Sequence, residues 1–385
     1  MSKTTTRPIE IHIRNRPGMD QKPFEIVELK GIGHPDSLAD GISESVAEVF
    51  YETSNKLGLP PYIYSDKVLI VPGETVPEFG GGRVLNPFQV YVPYISNLQI
   101  QPSVIEGVVY GYLENTLSEF KKEHATIHVL PRKPSKHSCR THLEFPAEFE
   151  DTGIVVGYAP LSKTERLVKR IATVLTSESF RKYYPQIGED IKLLAHRKNG
   201  KIKLTIACAF IGRLIHDLHQ YVDLKDSVTK EIISLGTDFG VDLEVELNPD
   251  DRPQQNSIYL TVLGTSAEHG DCGVTGRGNR WNGLISPLRP MTIEAIAGKN
   301  MQNHPARLLT HIAQKVSSEI YNEFPVNEVL ILISGRVGYF LNDLDQFYIH
   351  INSREVLSES RITEFALTWL DRFIKASTYE DFYAI

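Results

Sequence analysis

Gly153-Ile154-Val155-Val156-Gly157-Tyr158-Ala159-Pro160-Leu161-Ser162-Lys163-Thr164-Glu165-Arg166-Leu167-Val168 decides the fold class of this chain. Gly153 to Tyr158 is an apolar run of strand length, and the period changes directly after it. Ser162 and Glu165 are spaced as a capping box, in which each side chain can accept from a backbone N–H that the first helical turn leaves free. Leu167, Val168, Ile171 and Val174 then recur at helical spacing. A strand delivered into a capped helix is the unit of a mixed α/β (α+β) protein.

The same alternation of elements extends toward the N-terminus. Ile9, Ile11 and Ile13 alternate with Glu10 and His12, the period of a half-buried strand, and Arg16-Pro17-Gly18 follows as a turn. Leu38, Ile42, Val46, Val49 and Phe50 predict a helix with Pro35 at its first position, where a missing N–H costs nothing, and His34 as its cap. Val68 to Val71 reads as a strand, Phe79-Gly80-Gly81-Gly82 as a loop, and Val104 to Phe120 as a helix burying Ile105, Val108, Tyr112 and Leu117.

Toward the C-terminus, Asn199-Gly200 signals a hairpin. Strands are expected at Val241 to Leu247 and Ser257 to Leu263, with the turn Asp250-Asp251-Arg252-Pro253 between them. Gly264 to Asn303 is a long polar stretch, and few compact domains keep such a loop without using it. A helix near Pro305, strands at Val329 to Ile333 and Phe347 to Ile351, and a helix from Arg361 to Ile374 complete the pattern. The thirds look loosely alike. They divide as residues 1–125 with the His-Pro-Asp motif, 126–250 as a central α/β unit, and 251–385 with the Gly/Arg-rich loop.

Composition narrows the function. A chain of 385 residues, 41% hydrophobic, can bury a large core. Its net charge of −7 argues against nucleic acid or an anionic membrane as partner, so any anionic ligand must meet a local basic cluster. Cys139, Cys208 and Cys272 form no C-x-x-C pair, which indicates neither a disulfide framework nor a thiolate zinc site and fits a reducing, cytoplasmic setting. Met1 to Pro8 is polar, and no apolar run reaches the length of a membrane span.

Three segments carry chemistry. Asp36, Asp40 and Glu44 stand at successive i,i+4 positions, where like charges repel by roughly 0.2–0.5 kcal/mol per pair. The stripe is either a solvated face or, through Asp36 alone or with Asp40, the ligand of a hard cation such as Mg²⁺. His34 at the positive end of the helix dipole is either a simple cap or a neutral donor beside an anion. The second segment, Gly264 to Arg280, exposes backbone N–H groups and carries Arg277 and Arg280, whose planar forks suit phosphate oxygens. It is neither a Walker loop nor a Rossmann fingerprint. The third, Ala297-Gly298-Lys299-Asn300, supplies a point charge before a second His-Pro at His304-Pro305, with His304 expected as a cap. Asp66 and Asp151 read on their own as turn residues, and His216 and His219 as helix surface.

Lys30-Gly31-Ile32-Gly33-His34-Pro35-Asp36-Ser37, Phe79-Gly80-Gly81-Gly82, Val156 to Ser162 with Thr164-Glu165-Arg166, Gly264 to Gly283, and Ala297-Gly298-Lys299-Asn300 together resemble the methionine adenosyltransferase family, its archaeal branch above all. The resemblance implies three similar mixed-sheet α/β domains with approximate threefold symmetry, in a homodimer with active sites between subunits. It implies that ATP and L-methionine form S-adenosylmethionine with release of phosphate and diphosphate, using two Mg²⁺ and K⁺.

Carried over by motif, His34, Arg277, Arg280 and Lys299 would act on the triphosphate, while Asp36 and Asp271 would bind Mg²⁺ and Asp66 a monovalent cation. Asp151, Lys192, Gly276 and Asn282 would contact substrate. Three departures stand out. Gly278 occupies a place where the commoner branch has lysine, Met301 replaces an expected proline, and a Gly-Gln-Gly-Ser segment is missing near Leu130 to Phe145, where Pro131, Arg132, Lys133, Pro134, His137 and Arg140 stand instead. They leave open a paralogue acting on another amino acid or as a tripolyphosphatase, or a non-catalytic nucleotide-binding homologue.

Overall fold

The computed structural model describes residues 9–59, 62–138, 148–255, 257–340 and 343–375. Met1 to Pro8, Cys139 and Arg140 lie outside the described residues. Three mixed sheets each bury one face under two helices, giving three separate apolar cores.

The deciding stretch folds as read. Gly153–Ala159 is a strand, and Lys163–Leu175 is a helix capped by Ser162, whose hydroxyl accepts from the Glu165 N–H. Gly157 is required here, because a Cβ on it would stand 2.2 Å from the Ala313 carbonyl carbon of the helix Pro305–Glu323 crossing behind. Gly153–Ala159 edges a sheet in the order Ile9–Arg14, Gln346–Asn352, Glu328–Gly335, Gly153–Ala159, the first pair parallel and the others antiparallel. The helices Pro305–Glu323 and Glu359–Lys375 cover its apolar face.

The second sheet runs Asp242–Leu247, Lys201–Ile211, Ile187–Lys198, Phe24–Lys30, with Lys163–Leu175 and Leu218–Asp238 packed on it. Its hairpin turns at Asn199 and Gly200, both at positive φ, as the Asn-Gly pair required. The third sheet is built on Phe88–Ser96, with Ala125–Arg132 parallel on one side and Leu69–Val71 antiparallel on the other. Pro35–Leu57 packs there through Leu38, Ile42, Val46 and Phe50, all buried, each contributing about 1.5–3 kcal/mol of burial. Each sheet draws strands from more than one third of the chain: Ile9–Arg14 joins strands beyond residue 327, and Phe24–Lys30 joins strands beyond residue 186.

Several expectations need correction. Phe79-Gly80-Gly81-Gly82 is a loop only through Gly80, and Gly81 and Gly82 already belong to a strand. The segment turns a two-stranded hairpin of Glu74–Glu78 with Gly81–Asn86. The helix expected at Val104 to Phe120 is Pro102–Thr116, beginning at a proline that lacks the N–H a later position would need, and it buries Ile105, Val109 and Leu113; Val108 and Tyr112 are only half-buried. Of Ser257 to Leu263, only Leu260–Thr261 pairs as strand.

Candidate active site

The site begins where two cores meet. Gly31 and Gly33 donate their N–H groups to the carbonyls of Ile191 and Glu189, at 2.6 and 3.0 Å, stitching the turn before the Pro35–Leu57 helix to the strand Ile187–Lys198. A Cβ on Gly33 would stand 2.5 Å from the Glu189 carbonyl carbon, so only glycine lets the backbones approach this closely. His34 is thereby held at the seam, capping the helix with Nδ1 accepting the Asp36 N–H at 3.1 Å.

That hydrogen bond fixes the tautomer. With Nδ1 accepting, the proton of the neutral ring is on Nε2, which faces Asp271 Oδ2 at 3.7 Å. Burial, then the neighbouring Lys30 ammonium, lowers the His34 pKa to about 4 against the pull of Asp36 and Asp271. The imidazole is therefore neutral near pH 7 and presents one N–H at the positive end of a 23-residue helix.

The acid stripe has its own partners. Asp36 Oδ1 accepts the Val274 N–H at 2.9 Å, Asp40 Oδ1 accepts the Gly276 N–H at 2.7 Å, and Glu44 Oε2 accepts the Gly298 N–H at 3.1 Å. Three carboxylates one helical turn apart thus fasten the long polar stretch along one helix face. Lys30 Nζ lies 2.9 Å from Asp36 Oδ2, and Arg307 grips both Glu44 oxygens, which offsets the repulsion within the stripe. Of the three, Asp40 has no ion-paired cation among the described residues, and burial raises its pKa to about 6.

Around this spine the expected residues separate into groups. His34, Asp36 and Asp271 stand together, with Lys192 close enough to His34 to bear on its charge; Lys192 itself lies 3.6 Å from Glu28. Arg277 is exposed, and its backbone carbonyl accepts from Lys30 at 2.7 Å. Gly276, Arg280 and Asn282 line a cavity of about 340 Å³ with Asp40, Tyr158 and Trp281. There Arg280 donates to the carbonyls of Gly276, Gly278 and Thr292, at 2.7, 3.0 and 3.3 Å, and so braces the loop. Asn282 donates to the Tyr158 hydroxyl at 2.7 Å.

A second group gathers at the other His-Pro. His304 caps the Pro305–Glu323 helix through Nδ1, and its Nε2 faces Asp151 at 3.6 Å. The His304 hydrogen bond, outweighing burial, holds the Asp151 carboxyl below its ordinary range, and Lys299 adds to the effect. Lys299 is buried and paired with Glu294 at 2.6 Å. Asp66 carries the Lys67 ammonium on its carboxylate.

Sequence reading passed over the residues that organise these groups. Asp190, fully buried, accepts the Ser266 N–H and hydroxyl at 2.8 and 2.6 Å, and burial raises its pKa to about 6. Glu165 carries no site role in the sequence reading beyond its cap and its place in the Thr164-Glu165-Arg166 motif. It also accepts from the Tyr158 and Ser286 hydroxyls at 2.7 and 2.8 Å and pairs with Arg289 at 3.0 Å. Such a carboxylate signals little by itself, because the partners that matter here come from distant segments. Asp190 had one faint signal, its place two residues before Lys192.

Among the described residues, no three of His, Cys, Asp and Glu cluster as a metal cage. Mg²⁺ does not call for one, since it keeps several waters and binds through one or two carboxylates plus substrate phosphates. Asp271, 53% exposed beside the His34 N–H, fits that donor set, and Asp36 would join it by exchanging the Lys30 ammonium for the ion. No helix among the described residues is long and apolar enough to cross a membrane.

Comparison with known proteins identifies the family. Residues 7–378 match the family model described as S-adenosylmethionine synthetase (AdoMet synthetase). S-adenosylmethionine synthase of Pyrobaculum neutrophilum is 36% identical over 339 residues, 83% of this chain and 84% of that protein. The synthase of Methanothermobacter marburgensis is 36% identical over 348 residues, 86% of each chain. Among solved structures, an unusual S-adenosylmethionine synthetase from Campylobacter jejuni shares the fold at a TM-score of 0.64 and 14% identity, covering 94% of this chain and 90% of its own. The chain belongs to the S-adenosylmethionine synthetase family.

Proposed function

We propose that this transferase is an S-adenosylmethionine synthase in which the methionine sulfur attacks C5′ of ATP while the triphosphate departs onto the His34 side of the site. The carrying observation is the His34 tautomer. A neutral ring whose only proton points out of a helix N-terminus can donate to a phosphate oxygen without itself needing to gain or lose charge. As the C5′–O bond breaks, negative charge grows on the bridging oxygen, so donors fixed in place stabilise the transition state more than bound ATP.

The remaining residues divide that work. Arg277, exposed and without a carboxylate partner among the described residues, reaches for phosphate oxygens, and Lys192 lends positive charge beside His34. Lys299 would serve the same anion by exchanging Glu294 for it, and Arg280 keeps Gly276 and Gly278 in the conformation that displays their loop. Asp151 would meet the methionine amino group, and Asn282 shapes the adjoining cavity wall. Asp36 and Asp271 would hold Mg²⁺, which supplies charge neutralisation to the polyphosphate. Asp66 takes K⁺ only if Lys67 releases it.

A second copy of the chain is proposed to cover the open face of the third sheet, where Leu69, Ile95 and Leu130 are each 37–39% exposed. Approximate threefold symmetry is proposed on the three sheet-and-two-helix cores. Cys208 and Cys272, both free thiols, favour a cytoplasmic setting.

Purified protein incubated with ATP, methionine, Mg²⁺ and K⁺ is expected to release S-adenosylmethionine, phosphate and diphosphate in equal amounts. Cleavage of ATP or tripolyphosphate with no sulfonium product would overturn the reading.

A further inference from the structure

A second cavity, of about 610 Å³, opens on the other side of Tyr158 and Pro290, which line both cavities. Its floor is the first strand, the turn after it and the neighbouring strand Gln346–Asn352. His12 and His350 are in register on these parallel strands, and their rings stack at 5.1 Å and 16°. Arg14, Arg16 and Lys22 complete the rim.

The charge balance of this cavity is the opposite of the whole chain's. The protein carries −7, yet the only carboxylate in the lining is Glu328, and it is already engaged by Arg289 at 3.2 Å and by the Met19 N–H. None of the Arg14, Arg16 and Lys22 side chains has a carboxylate partner among the described residues. Burial first, then His12 and Arg14, lower the His350 pKa, and both of these positive groups also line the floor. Three unpaired cations around one concavity repel one another, and a bound polyanion removes that repulsion while the arginine forks grip its oxygens.

We propose that this cavity is a second anion site, separate from the catalytic one, taking a small soluble polyphosphate. Several phosphoryl groups in a chain offer one anionic group to each of the three cations, with the imidazoles as further donors. A site of about 300–1,000 Å³ is of the size that holds such a ligand. The inference does not depend on the catalytic reading, because no residue assigned to the transfer reaction lines this cavity.

The test is titration calorimetry of the full-length protein with inorganic tripolyphosphate, without Mg²⁺ and at low salt, where surface electrostatics is screened least. Two sites per chain are expected. Arg14→Glu with Arg16→Glu should remove one and Arg277→Ala the other. The milder Arg14→Gln with Arg16→Gln should weaken the first by about tenfold or more, as expected for lost charge-assisted contacts. A titration in which every site survives both Arg14/Arg16 pairs unchanged overturns the proposal, however many sites the parent shows. If the catalytic reading fails instead, Arg277→Ala changes no binding while the Arg14/Arg16 variants still lose the cavity site.

Discussion

His304 is bonded as His34 is, at the start of a different helix. In each, Nδ1 accepts the N–H two residues on, at 3.2 and 3.1 Å, and Nε2 faces an aspartate, Asp151 at 3.6 Å and Asp271 at 3.7 Å. One local device, His-Pro opening a helix, therefore places an imidazole N–H and a carboxylate at two points joined by the Asp36-Asp40-Glu44 spine. The surroundings differ: burial and Lys30 drive the His34 pKa down to about 4.

The cap and the donor in His34 can be separated by substitution. Asparagine is as good a cap as the imidazole, so His34→Asn should keep the melting temperature near that of the parent, whereas His34→Ala should cost about 1 kcal/mol. Both remove the Nε2 proton, and both should lower turnover by about 10²-fold. A His34→Asn enzyme turning over at the parental rate would reduce His34 to a structural cap.

The lowered pKa has a pH consequence of definite sign. Unfolded His34 binds a proton near pH 6.5 and the folded ring only near 4, so in that window the unfolded state holds more protons. The contribution is complete above about 6.5 and is lost as pH falls toward 4. Chemical denaturation at pH 7 and pH 4.5 should show a smaller loss of stability for His34→Asn than for the parent, and equal losses would refute the assignment.

Asp40 and Gly278 occupy one volume. A Cβ on Gly278 would stand 2.1 Å from Asp40 Oδ2, so Gly278→Ala must turn the carboxylate and strain its Oδ1 bond to the Gly276 N–H, at a cost of up to about 1–2 kcal/mol. In an Asp40→Ala background the same change meets no carboxylate and should cost far less. A double-mutant cycle on denaturant midpoints tests this, and additivity would contradict it. The lysine of the commoner family branch is thus incompatible with Asp40 in its present position.

What was legible in the sequence was local. Ser162 with Glu165, His34-Pro35 and Asn199-Gly200 each specify backbone geometry within a few residues, and each folded as read. Phe24–Lys30 and Phe88–Ser96 went unread although Val90, Val92 and Tyr94 lie buried on one face, because Pro93 interrupts the second and charged residues dilute the first. The site was legible as residue types and not as pairings. Nothing in a lone Asp40, Glu44 or Asp190 shows that its partner is a backbone N–H more than 70 residues away. Family motifs supplied candidate roles, but not that Arg280 would be turned inward onto three carbonyls.

Arg277 and Arg280 therefore predict opposite outcomes from the same substitution. Arg277 is exposed and has no carboxylate partner among the described residues, so Arg277→Ala should leave the melting temperature near the parent while lowering turnover by about 10²-fold or more. Arg280 is held by Gly276, Gly278 and Thr292, and burial lowers its pKa. Removing it leaves three carbonyls without donors, at about 1–3 kcal/mol for each one that water cannot reach, so Arg280→Ala should lower stability first and activity through it. Arg280→Lys, with one ammonium for a planar fork, should recover only part of that stability. Thermal melts and kcat measured side by side decide the matter: an Arg280→Ala protein that melts like the parent but has lost turnover would move Arg280 out of the scaffold and onto the substrate.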